Sequence, residues 1–306
     1  MSAAGAEIGQ AGGAGRLTVL AVALGVMTLW AGTPIATKLA VGGVDGTTVG
    51  ILRTMLAGTA ALPIILLARP KLPSATAGRG ALLITAIIGF VAFPLLFSLG
   101  VARTSAGHAA LLLALLPIFT GLIAGCVERR LPGLGWWLGA AIAVGGTILL
   151  VSERFGLGAS GATLQGDLLV IAGAFCASVG YVMGAKASRG VGSWSVTLWA
   201  LLLASAVLLP LAALTLPFDR LARADVELWS ALLYLSVLSS IVGYAAWYWA
   251  LAQGNIGQIG MIQFTQPLIS LLLAVLILGE SLTWPLLLAA GVIVAGVALA
   301  QRRPTR

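Results

Sequence analysis

The sequence contains very little charge for its length. Only 8% of its 306 residues are Asp, Glu, Lys or Arg, whereas soluble domains carry roughly 25%. The mean hydropathy is +1.08. A soluble globule needs more polar groups than this to cover its surface. The scarcity of charge excludes a soluble domain and predicts a protein whose main solvent is lipid.

Histidine and cysteine are also scarce. The chain has one histidine, His108, and two cysteines that lie in separate apolar segments without metal-type spacing. One histidine without clustered acids cannot supply a zinc or di-metal site. Ser160, in the string Gly158-Ala-Ser-Gly161, matches an intramembrane protease pattern, but no histidine follows it to act as its base. We therefore expect no cofactor, no metal and no enzymatic activity.

Acidic residues are missing from the middle of the apolar segments. The nine Asp and Glu residues fall in tails, in loops or within about a turn of a predicted helix end. Intramembrane carboxylates are typical proton sites of pumps and transporters. This distribution predicts no buried carboxylate for ion coupling, and it favours a facilitator or an exchanger.

The net charge of +8 comes from basic residues scattered in ones and twos between apolar runs. They form no basic stripe, which argues against a nucleic-acid partner. With an inside N-terminus, eleven basic residues fall in the cytoplasmic segments and five in the opposite ones. Because basic residues are retained inside, we predict a bacterial-type inner-membrane protein with both termini cytoplasmic.

Ten apolar runs approach the length of about 20 residues that a membrane-spanning helix needs. Polar and helix-ending clusters such as 42–46 and 128–133 separate them. The predicted fold class is an all-α integral membrane protein, preceded by a disordered cytoplasmic tail over 1–16. The predicted spans are 17–38, 47–68, 80–101, 105–127, 134–152, 165–187, 193–216, 228–252, 256–278 and 283–301.

Two segments 150 residues apart carry matching residues. Val101-Ala-Arg-Thr-Ser-Ala-Gly-His108 aligns with Leu251-Ala-Gln-Gly-Asn-Ile-Gly-Gln258, and the register holds at Pro117 and Pro267. This predicts a first repeat over 17–152 and a second over 165–301. Each repeat then contains five helices. Because five is an odd number, the second repeat enters the membrane in the opposite orientation to the first, so the repeat is inverted. Inverted repeats are typical of alternating-access carriers, whose substrate lies at the midplane between the halves.

Four short segments resemble the drug/metabolite transporter superfamily, in its ten-helix group built from two EamA domains. They are Trp30-Ala-Gly-Thr-Pro-Ile-Ala-Thr-Lys38, Arg53-Thr-Met-Leu-Ala57, Ser105-Ala-Gly-His-Ala-Ala110 and Leu278-Gly-Glu-Ser-Leu-Thr283. The resemblance implies export or exchange of small metabolites, with the aromatic amino-acid exporters (YddG-like) named first. Related members carry sugars, nucleotide sugars, polyamines or cationic drugs, and no short motif here separates these substrates.

Aromatic and polar side chains supply the candidate substrate site. The eighth helix carries Tyr244, Trp247, Tyr248 and Trp249 within six residues. Such a cluster is either an interfacial belt or the wall of a cavity, because four rings so close together cannot all face one headgroup layer. The predicted cavity residues are Trp30, Thr33, Phe97, Ser178, Tyr181, Tyr244 and Tyr248.

Helical spacing adds two stripes at matched places in the repeat. The first contains His108, Leu112 and Leu116, and the second contains Gln258, Ile262 and Gln266. Uncharged amides can bind a zwitterion without trapping it, so all of these except Leu116 are predicted to contact the substrate. The alternative for His108 is a structural hydrogen-bonding role.

Charged residues near the helix ends have simpler interpretations. Lys38 and Lys186 lie at the ends of predicted helices and are expected to snorkel toward the headgroups. Glu128 and Glu280 are expected as caps or ion-pair partners. Arg53 lies deeper, inside the second span, where it either pairs with a helix end or meets a substrate carboxylate.

The predicted function is a membrane carrier of small organic metabolites, with amino-acid export foremost. Its predicted partners are a small-molecule substrate and the lipid bilayer, and the oligomeric state is left open. Export of cationic drugs, polyamines or sugars is the alternative. A channel is disfavoured because the sequence has no charged ring or repeated filter segment.

Overall fold

The structure is a computed structural model. It describes residues 15–73, 76–127, 129, 133–152, 163–253, 259, 262–263 and 265–300. Most of the predicted disordered tail over 1–16 lies outside the described residues, whereas Arg16 already belongs to the first helix.

The described chain is built of apolar helices, which confirms the predicted all-α membrane fold. Seven of them are long and apolar enough to cross a membrane, and three further apolar helices are shorter. A five-residue helix, Phe218–Ala222, lies between the helices that end at Thr215 and begin at Val226. The ten membrane helices are α1 (Arg16–Ala31 and Thr33–Gly43), α2 (Gly46–Ala68), α3 (Gly78–Val101), α4 (Ala106–Val127), α5 (Leu134–Ser152), α6 (Leu164–Val191), α7 (Ser193–Thr215), α8 (Val226–Gln253), α9 (Thr265–Leu278) and α10 (Trp284–Ala300).

The two halves pack as related copies. Equivalent helices meet across the bundle, since α2 packs against α7 and α5 packs against α10. Other contacts occur in reciprocal pairs: α3 with α6 matches α8 with α1, and α4 with α6 matches α9 with α1. Reciprocal contacts are the signature of two copies related by a two-fold axis. They fit the ten-helix, two-repeat architecture.

The first membrane helix is broken in its middle, next to Pro34. Its α-helical winding stops at Ala31, resumes at Thr33 and continues to Gly43 rather than ending at residue 38. The cause is Pro34, which has no N–H to donate to the carbonyl of Trp30 one turn earlier.

Side chains of the second half donate to three consecutive carbonyls at this break. Gln266 Nε2 of α9 donates to the carbonyl of Trp30 at 3.3 Å, and Ser270 Oγ donates to that of Ala31 at 2.8 Å. The Tyr234 hydroxyl of α8 donates to a third carbonyl, one residue before Trp30. The break is therefore also an attachment point between the two halves.

The third helices of both halves share a distortion. Thr85–Ala92 in α3 and Tyr234–Gly243 in α8 are π-helical, a winding that is rare and frequent at functional sites. Their starts are 149 residues apart (234 − 85), close to the offset of the sequence repeat. In α3, Pro94 leaves the carbonyl of Phe90 without its α-helical donor, and Thr54 of α2 donates to it at 2.7 Å.

Helices α5 and α10 meet at a glycine. A Cβ added to Gly296 would lie 2.7 Å from the carbonyl oxygen of Gly139 and also against the backbone nitrogen of Ala143. Backbone atoms cannot rotate away as a flexible side chain can. Only glycine therefore allows this close approach, as is usual between membrane helices. Gly291 on the same helix faces open space.

Replacing Gly296 with alanine should destabilise the protein, because the added methyl group overpacks the contact between α5 and α10. Overpacking costs about 1–3 kcal/mol. We expect a lower apparent melting temperature in detergent for Gly296→Ala. Gly291→Ala is the matched control and should leave the melting temperature unchanged or raise it, since alanine favours the helix. Equal effects of the two substitutions would contradict this packing.

Candidate functional site

A small cavity lies between the two halves near the middle of the bundle. Its volume of about 10 Å³ leaves room for about one water molecule. The first half supplies six of its lining residues and the second half supplies four. They are Trp30, Thr33, Arg53, Phe93, Leu113, Leu116, Tyr181, Ser239, Tyr244 and Gln266.

Ser239, in the π-helical segment of α8, connects three of these residues. Its backbone carbonyl accepts a hydrogen bond from Trp30 Nε1 at 3.0 Å, and its hydroxyl lies 3.2 Å from Thr33 Oγ1. The same hydroxyl accepts from Arg53 Nη2 at 3.1 Å, while Arg53 Nε donates to the hydroxyl of Ser240 at 3.1 Å. The serine pair fixes the guanidinium beside the cavity.

Stacked aromatic rings form one wall of the cavity. Trp30 stacks on Tyr181 at a centroid distance of 5.3 Å and meets Tyr244 edge-on at 5.0 Å. Trp247 and Tyr248 extend this cluster and are both fully buried. Tyr244 lines the cavity, as the cavity interpretation of the aromatic run on α8 expects, whereas Trp247 and Tyr248 pack against Trp30 and Tyr244 without lining it. All three are buried and form no belt at the headgroups.

The structure brings only part of the predicted site together. Trp30, Thr33, Tyr181, Tyr244 and Gln266 line the cavity. Gln258 lies outside the described residues, as does Glu128. The remaining predicted residues lie away from the cavity lining and are Phe97, His108, Leu112, Ser178, Tyr248 and Ile262.

Packing explains most of these differences. Phe97 contacts the ring of Phe93 at 5.5 Å, and Ser178 Oγ donates to backbone carbonyls at 3.0 and 3.2 Å. Tyr248 lies against Gly184, where any Cβ would strike its ring. Ile262 is partly buried against the hydrophobic core.

A change in helical winding moved the predicted stripe on α4. Leu113–Leu115 form a turn of 3₁₀-helix, which has three residues per turn. Leu113 and Leu116, three residues apart, share the face that lines the cavity. Leu112, which regular spacing placed on that face, is fully buried in the core instead.

Four residues that build the site were not predicted from the sequence. Phe93, Leu113, Ser239 and Ser240 were not singled out, although two adjacent serines inside an apolar helix are a usable signal. Polar residues within membrane helices usually face the bundle interior. Consecutive polar residues at midspan are therefore the sequence signal for this pair.

A second polar cluster, which we call the Glu280 network, consists of Lys38, Thr104, His108, Asp167 and Glu280. It lies where α1, α3 and α9 end and where α4 and α6 begin. The two carboxylate oxygens of Glu280 accept hydrogen bonds from the backbone nitrogens of Ala106 and Gly107, each at 2.8 Å. Glu280, after α9 of the second half, is therefore a cap for α4 of the first half.

The other members of the Glu280 network join the same ends. Lys38 Nζ donates to the carbonyls of Thr104 at 2.6 Å and Val101 at 3.2 Å, so it binds a helix end rather than only snorkelling. Thr104 Oγ1 donates to Asp167 Oδ1 at 2.8 Å. His108 Nδ1 lies 3.7 Å from the same oxygen.

The expectation that no carboxylate would be buried is wrong for Asp167, whose exposure is 0%. It lies in the first turn of α6, near a helix end as its sequence position indicated. The turn before α4 covers it, because the backbone nitrogen of Thr163 donates to the carbonyl of Arg103 at 2.9 Å. The position of Asp167 near a helix end therefore does not make it exposed.

The chain resembles known transporters along nearly its full length. It matches the EamA-like transporter family over residues 17–152 and again over 164–301. YdeK of Bacillus subtilis (strain 168), described as an uncharacterized transporter, is 32% identical over 279 residues, which cover 91% of this chain and 95% of YdeK. A probable amino-acid metabolite efflux pump of Escherichia coli (strain K12) is 27% identical over 288 residues, covering 90% and 92%.

A solved crystal structure shares the fold. It superposes with a TM-score of 0.63 at 21% sequence identity and covers 94% of this chain and 97% of its own. One match to the family in each half agrees with two packed copies of a five-helix unit. The chain therefore belongs to the EamA-like transporter family, as a multi-pass membrane transporter.

Proposed function

We propose that the protein exports amino acids, aromatic ones foremost, by alternating access between its two repeats. The observation that carries this proposal is the central cavity, whose wall both halves supply. A volume of about 10 Å³ cannot hold an amino acid. Solute binding therefore requires the halves to move apart, as in a carrier, and a fixed open pore does not fit this geometry.

The Glu280 network serves as the outer gate in this proposal. The distribution of basic residues favours cytoplasmic termini, and this orientation puts the network on the outside. Glu280 and Asp167 of the second half bind Ala106, Gly107 and Thr104 of the first half. These contacts have to break for the cavity to open outward.

The cavity wall supports an amino acid with an aromatic side chain. Trp30, Tyr181, Tyr244 and Phe93 line the cavity, and aromatic pairs gain about 0.5–1.5 kcal/mol beyond the buried area. Gln266 and Thr33 add uncharged polar groups. The similarity to a probable amino-acid metabolite efflux pump points to the same class of solute.

The protein reconstituted in liposomes should catalyse saturable flux of phenylalanine or tryptophan. Unlabelled amino acid on the opposite side should accelerate that flux, because a carrier returns faster when it is loaded. The measurement is exchange of labelled amino acid with and without unlabelled amino acid inside, with protein-free liposomes as the control.

The same assay separates the alternatives. Labelled spermidine and labelled glucose are tested in parallel with the amino acids. Flux of either compound without amino-acid flux would refute amino-acid export. Flux that rises linearly with concentration and shows no acceleration by opposite-side solute would indicate a channel.

Replacing Glu280 with glutamine should weaken the outer gate. An amide has one carbonyl oxygen and no charge, so it cannot accept both backbone hydrogen bonds of α4 as a carboxylate does. Hydrogen bonds to charged groups contribute about 1.5–3 kcal/mol, which corresponds to about a tenfold or greater rise in the open population. We expect a matching rise in the rate at which an impermeant maleimide labels Leu113→Cys, introduced after Cys126 and Cys176 are replaced.

Glu227→Gln is the matched control for this measurement. Glu227 is exposed in the first turn of α8, at the same end of the bundle. Its substitution removes the same charge without touching the Glu280 network, so the labelling rate should not change. Equal labelling rates for the two variants would contradict a gate at Glu280.

A further inference from the structure

A single buried cation faces the central cavity. Arg53 is 1% exposed and lies at the eighth position of the 23-residue helix α2. The residues lining the cavity include no Asp or Glu, and none of the described carboxylates forms an ion pair with Arg53. A buried charge without a counter-ion is costly. Its burial here calls for a partner that the described part of the chain does not supply.

The arrangement around the guanidinium leaves one donor group open. Nε and Nη2 donate to the hydroxyls of Ser240 and Ser239, and the guanidinium carbon lies 5.4 Å from the centre of the Phe93 ring. Nη1 has no hydrogen-bond partner among the described residues. Hydroxyl groups and a ring orient the cation, but neither neutralises it.

We propose that Arg53 binds the carboxylate of the transported solute. A guanidinium presents N–H groups in a fixed fork that matches a carboxylate, and such charge-assisted bonds are roughly twice as strong as neutral ones. Nη1 provides the open donors, and Nη2 can exchange its contact with Ser239 for the second oxygen. The inference rests on the proposed function, because it names the chemical group that the carrier recognises.

This assignment defines the class of solute. A positive site without acids repels polyamines and cationic drugs, and sugars carry no carboxylate to neutralise it. An α-ammonium group is compatible with the aromatic side chains of Trp30, Tyr181 and Tyr244 in the cavity lining, since cations are attracted to aromatic rings. The solutes are therefore monocarboxylates with a compact apolar or aromatic body, α-amino acids included.

A set of four compounds that share the phenethyl group tests this assignment without any mutation. Phenylalanine and 3-phenylpropanoate carry the carboxylate, whereas phenylalaninamide and phenethylamine lack it. We expect the two carboxylates to inhibit labelled phenylalanine flux about 10- to 100-fold more strongly than the two compounds without one. Equal inhibition by phenylalanine and its amide would overturn the role of Arg53 and leave amino-acid export intact.

Substitutions at Arg53 test the residue itself. Arg53→Lys keeps the charge but loses the fork, so the KM for phenylalanine should rise about tenfold. Arg53→Gln should remove the preference for phenylalanine over phenylalaninamide. A purely structural role would lower the transport of acid and amide alike and leave their ratio unchanged, which would refute the proposal. If Arg53→Gln does not fold, Arg53→Lys and the four compounds still test whether Arg53 binds the carboxylate.

Arg69→Lys is the matched control, since Arg69 is exposed at the end of the same helix. It should leave both the KM and the acid-to-amide ratio unchanged. Different results would refute the proposed export function and the proposed carboxylate site. Spermidine or glucose flux without amino-acid flux would refute the function itself, whereas amino-acid flux that Arg53→Lys does not alter would refute only the carboxylate site.

Discussion

Lipid offers no hydrogen-bond partner, so each backbone group that a helix leaves open must be bound by another part of the protein. The carbonyls of Trp30 and Ala31 accept from Gln266 and Ser270, and that of Phe90 accepts from Thr54. Two of these three donors belong to the other half of the chain. The requirement to satisfy the backbone therefore also joins the two halves around the cavity.

Broken helices also give the cavity its polar groups. A regular α-helix keeps its carbonyls bonded internally and presents only side chains. In α1 and α8, the break at Gly32 and the π-helical turn bring Ser239 next to Trp30, Thr33 and Arg53. Each of these contacts joins helices of opposite halves. A movement of one half is thereby transmitted to the residues that would touch the solute.

The sequence predicted what depends on hydropathy and on turn residues, and missed what depends on tertiary contacts. The ten spans follow from apolar runs, and helix α5 ends at the predicted residues. The π-helical segments were not predictable, because apolar residues of this kind also fit an α-helix. Asp167 is buried because the turn before α4 packs over the start of α6. The sequence around Asp167 does not show this tertiary contact.

The two halves differ in charge at α2 and α7, two helices of equal length with proline at the same position. Helices α2 and α7 each have 23 residues, with Pro63 and Pro210 at the eighteenth position. At the eighth position α2 carries Arg53, whereas α7 carries the buried Ala200. A symmetric pair of arginines would add a second uncompensated charge to the interior. A single arginine makes a nearly symmetric cavity electrostatically polar, so a solute with one carboxylate binds it in one orientation.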